Sequence, residues 1–95
     1  MKQYIIDFSK AKTYWYFYEA IIKGMKFPSW CGKNPDAIWD LLTGYMYTPA
    51  TINIRGINTL PSDLESEMTL ILKVLNRAVD WHGEIHQELI VKIID

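Results

Sequence analysis

Asp36 and Asp40 lie four residues apart in the stretch Asn34-Pro-Asp-Ala-Ile-Trp-Asp-Leu-Leu-Thr-Gly-Tyr45. On a helix that spacing puts both carboxylates on one face, and Thr43 and Gly44 continue the strip. Like charges so placed cost an isolated helix about 0.2–0.5 kcal/mol. No lysine or arginine stands four residues beyond Asp40 to relieve them. An unrelieved acidic pair edged by Trp30, Trp39 and Tyr45 has the make-up of a protein-binding surface, because aromatic anchors carry much of the energy of such contacts. A second chemistry open to two carboxylates is acid–base hydrolysis. That work needs an enclosed pocket that raises the pKa of one of the pair. The helix dipole favours the charged carboxylate in a first turn such as that of Asp36, which argues against it.

Other reactive residues point to less. His82 and His86 are four apart, a metal-pair spacing on a helix, but Gly83 between them is expected to end the helix, and no further ligand cluster accompanies them. No metal or cofactor is expected. Cys31 is the single cysteine, so no internal disulfide can form. No Cys-centred catalytic signature surrounds it, and it reads as a small surface or semi-buried thiol. The five glycines are scattered at 24, 32, 44, 56 and 83, which excludes a phosphate-cradling loop.

The elements that must hold the acidic strip follow from periodicity. Lys2–Phe8 is short, β-branched and aromatic, and predicts a strand. Tyr14, Phe17, Ile21 and Met25 recur at helical steps, with Thr13 as N-cap and with Gly24 and Pro28 ending the helix near Met25. After a loop over Lys26–Lys33, Asn34 and Pro35 are the favoured N-cap and first residue of a second helix. Ile38, Leu41, Leu42 and Tyr45 are its apolar stripe, and Gly44 falls at its fraying end. Thr51–Arg55 predicts a second strand and Gly56–Leu60 a loop. Pro61-Ser62-Asp63 opens a third helix that runs to about Asp80, with Gly83 as its stop signal. Leu64, Met68, Ile71, Leu72 and Leu75 form its buried face. Glu88–Ile94 is a third, apolar strand. This alternation predicts a two-layer α/β fold, a three-stranded parallel sheet packed against three main helices, as one domain over 1–95.

Composition narrows the classes. Apolar residues are 49% and aromatics 14% of 95 residues, enough for a core and too many aromatics to hide completely. Ten basic against eleven acidic residues give a net charge of −1, which argues against direct nucleic-acid binding. The first residues are broken by charge, without a signal-peptide apolar run, and no apolar stretch approaches a membrane span. With the lone cysteine, this predicts a cytoplasmic protein.

The nineteen residues from Phe27 to Tyr45 resemble the barstar family of ribonuclease inhibitors. The shared features are Phe27-Pro28, an aromatic before Gly32, then Asn34, Asp36-Ala37-Ile38-Trp39-Asp40, and Thr43-Gly44 followed by an aromatic. The resemblance implies an inhibitor with no catalysis of its own, monomeric when free, that blocks a toxin or extracellular-type ribonuclease with the helix and loop Trp30–Tyr45. It implies Asp40 as the central inhibitory residue and Asp36 as its companion. Trp30, Asn34, Trp39, Thr43, Gly44 and Tyr45 fall at or beside contact positions, and a third-helix contact aligns near Thr69 or Glu67. Lys33 stands where an acidic residue is familiar, and Cys31 where an aromatic is. An immunity protein or interaction module for a different nuclease is the alternative with the same surface.

Overall fold

Backbone preference and burial agree along most of the chain, so each element begins and ends for a visible reason. A computed structural model describes residues 1–94. Its elements are β1 (Lys2–Asp7), α1 (Tyr14–Met25), α2 (Pro35–Gly44), β2 (Ala50–Arg55), α3 (Glu65–Glu84) and β3 (Leu89–Ile93), with 3-10 turns at Ile57–Thr59 and Ser62–Leu64. The strands form one parallel sheet in the order β1-β2-β3. Tyr4 pairs with Ile52 and Ile52 with Val91, so same-face residues line up across the sheet. Along β1, Tyr4 and Ile6 are buried between exposed Gln3, Ile5 and Asp7, the alternation of a half-covered strand. β2 is central, and even Thr51 on it is buried.

Helix α1 is capped by Thr13, whose hydroxyl accepts the Tyr16 amide at 3.3 Å. It buries Phe17, Tyr18, Ile21, Ile22 and Met25. Gly24 has a packing role and is not the cap. A Cβ there would fall 2.3 Å from the Ile5 carbonyl oxygen, so only glycine lets α1 meet β1 backbone to backbone. The left-handed cap is Lys26, at φ 58°, whose amide bonds back into the last turn. Of the aromatics crowded at the start of α1, Tyr18 goes fully inside and Trp15 and Tyr16 stay exposed.

The third helix departs from its sequence pattern at both ends. Pro61-Ser62-Asp63 leads into a 3-10 turn, and α-helix begins only at Glu65. It then runs through Gly83 to Glu84, past the expected stop near Asp80. A Cβ at Gly83 would meet nothing within 4 Å, so that glycine is only a tolerated weak point of the helix. The break comes at His86, whose φ is 61°. Burial explains the extra turn: Ile71, Leu75, Ala78 and His82 continue one stripe, and all four are buried.

Candidate functional site

Asn34 sets up the acidic helix. Its side-chain oxygen accepts the Ala37 amide at 2.8 Å, and Pro35 follows at the first helical position. Such a cap contributes about 1 kcal/mol. Ile38, Leu41 and Leu42 are the buried face of α2 and dock it on the core. Each fully buried side chain of this size contributes roughly 1.5–3 kcal/mol. The opposite face carries Asp36 and Asp40, both exposed. Among the described residues neither carboxylate has an ion-pair partner.

The neighbouring cations are occupied elsewhere. The Lys33 ammonium lies 3.2 Å from Glu19 and 3.9 Å from the centre of the Trp15 ring. Its backbone carbonyl accepts the Tyr14 hydroxyl at 2.9 Å. Lys33 is thus drawn onto α1. Arg77 of α3 stacks over Trp39, 4.7 Å from the ring centre, and holds that half-buried indole against the core.

The aromatic edges are open. Trp30 is 74% exposed in the loop before α2. Tyr45 does not belong to the apolar stripe of α2: it is the residue after the helix, half-exposed, and its ring meets Phe27 edge-on at 6.0 Å. Thr43 turns its hydroxyl inward, donating to the Trp39 carbonyl at 2.9 Å. Gly44 is exposed, and a Cβ there would meet nothing within 4 Å. Cys31 is buried rather than superficial, and burial pushes its thiol up, with the Lys33 charge acting weakly the other way.

Contacts from α3 divide along its length. The Tyr18 hydroxyl donates to Glu67 at 2.6 Å, which ties Glu67 to α1. Burial, and then Glu67, push the Tyr18 phenol up. Thr69 donates to the Glu65 carbonyl at 3.1 Å. Arg77 and His82 of α3 reach α2 through a stacked cation and a hydrogen bond. His82 is buried and its Nε2 lies 2.7 Å from the Leu42 carbonyl. Sequence reasoning weighed His82 only as a metal ligand. Its place on the stripe Ile71, Leu75, Ala78, His82 was the signal of burial.

A groove of about 470 Å³, lined by Ile57, Leu60, Met68 and Leu72 among others, contains neither aspartate. Among the described residues no three His, Cys, Asp or Glu side chains are placed to hold a metal. Among the described residues no helix is long and apolar enough to cross a membrane.

Fold and site together define a small parallel α/β protein that presents a rigid acidic helix with aromatic margins. Residues 1–93 match the family described as Barstar (barnase inhibitor), and the chain belongs to that family. It is similar to the Bacillus subtilis (strain 168) protein named "Putative ribonuclease inhibitor YrdF", 28% identical over 78 residues, which cover 82% of this chain and 86% of that protein. Both findings support a ribonuclease-inhibitor-like role and a ribonuclease as protein partner.

Proposed function

We propose that the chain inhibits a ribonuclease by setting α2 and the loop before it into the enzyme's active site. Ribonuclease sites gather Arg, Lys and His to bind phosphate and stabilise its transition state. Asp40 takes the phosphate's place against those groups, and Asp36 pairs with basic residues at the rim. Trp30, Trp39 and Tyr45 supply aromatic contact area. Asn34 and Thr43 hold the helix, and the bare Gly44 lets the enzyme's backbone approach. The inhibitor does no chemistry of its own and acts in the cytoplasm, as a monomer before it meets a toxin or extracellular-type enzyme. It touches no nucleic acid.

The observation that carries this reading is a pair of exposed carboxylates, unpaired among the described residues, on a helix immobilised from behind. A hydrolase would need at least one of them enclosed. Lys33 favours a second reading of the target: it stands where the family pattern carries an acidic residue, so the cognate nuclease can differ from barnase while the face is the same. Inhibition titrations against a panel of ribonucleases and deoxyribonucleases test both readings. In the complex that forms, Asp40→Ala should weaken binding by at least about 30-fold, the effect of losing roughly 2 kcal/mol at a central contact. An unchanged affinity removes the mechanism.

A further inference from the structure

We propose that His82 is a positioning residue for the binding face: from inside the core it holds the C-terminal end of α2 and so fixes where Asp40, Thr43 and Gly44 stand. The inference rests on the face proposed above and assigns a role to a residue outside it.

A helix leaves its last carbonyls without intrahelical donors. At the end of α2, the amides of both Tyr45 and Met46 reach the Leu41 carbonyl, each at 3.1 Å. Met46 would ordinarily serve Leu42. The Leu42 carbonyl receives His82 Nε2 instead, at 2.7 Å, from the neighbouring helix. A carbonyl only accepts, so Nε2 is the donor of this bond. Nδ1 is buried and, among the described residues, has no hydrogen-bond partner. An orphaned ring nitrogen in a core is unfavourable, and a leucine would fill the space without it. The bond to α2 is the physical reason for a histidine at this position. The ring is 3% exposed and cannot touch a partner itself. Arg77 over Trp39 is a second hold from the same helix, so α3 grips α2 on either side of Asp40.

The test compares the full chain with His82→Leu, which fills the space without a donor, and His82→Gln, which can still donate to Leu42. Amide exchange is read in the free proteins, and affinity is read with catalytically inactive barnase as probe. His82→Leu should speed exchange at Tyr45 and Met46 by at least about 10-fold relative to the amides of β2. It should weaken affinity by at least about 10-fold at a temperature where it stays folded, because the face is no longer pre-organised. His82→Gln should restore both to within about 3-fold. Exchange at Tyr45 and Met46 that moves only in step with β2 overturns the proposal, as does His82→Leu binding like the native chain. If the native chain does not bind barnase, that target is lost to the functional reading, and the exchange pattern alone decides the hold of His82 on α2.

Discussion

Gly44 and Cys31 show how single positions separate folding from binding. Gly44 has open space around it and ends a helix without a left-handed backbone, so alanine costs the free chain nothing sterically. Gly44→Ala should leave stability unchanged or raise it by up to about 1 kcal/mol through helix propensity. The added methyl would meet the nuclease backbone and weaken inhibition. Paired thermal melts and inhibition titrations check this, and equal affinity would deny Gly44 its role. Cys31 is governed by burial. Its thiol pKa is raised in the folded chain, so this group contributes stability that is fully present below the ordinary thiol pKa and is lost as pH rises through the folded value. At pH 8 the folded chain should react with iodoacetamide at least about 10-fold more slowly than the urea-unfolded chain. Equal rates by mass spectrometry would contradict the burial.

At the scale of the element, α2 depends on both of its ends. The ten-residue helix is too short to persist alone in water and relies on its caps and its docked face. Asn34→Ala should lower stability by about 1 kcal/mol, or roughly 4–8 °C in Tm for a domain of this size. It should also weaken nuclease binding, because fraying of the first turn moves Asp36. A Tm equal to that of the native chain would show that the cap is dispensable. Helix α3 is held from the other direction. Its pattern ends on paper at Gly83, yet packing against α2 and the sheet carries it to Glu84.

For the whole molecule, a net charge of −1 supplies little long-range attraction. In the proposed complex, affinity would therefore have to come from local fit between α2, its aromatic margins and the enzyme's basic site. Binding to the folded chain alone adds stability by mass action. With free nuclease at 100 times Kd, the gain is about 2.7 kcal/mol, so Tm should rise by roughly 10–20 °C. Asp40→Ala should erase most of that rise at the same nuclease concentration. A cognate nuclease that leaves Tm unmoved in calorimetry would rule out binding to the native fold.

The sequence by itself determined the sheet, the three helices and the acidic strip. Periodicity placed Ile38, Leu41 and Leu42 on one face and left Asp36 and Asp40 on another, and Asn34-Pro35 marked where that helix begins. These are local properties, written at spacings of two to four residues. Only the tertiary structure decided which charges stay free. Lys33 adjoins Asn34 in sequence yet pairs with Glu19 and Trp15, and Glu67 is claimed by Tyr18. It alone took Tyr45 off the apolar stripe, buried Cys31, and joined His82 to Leu42 across forty residues of chain. The physical reason is that ion pairs, stacked cations and tertiary caps depend on distance in space, and parallel crossovers bring distant segments together without leaving a local pattern.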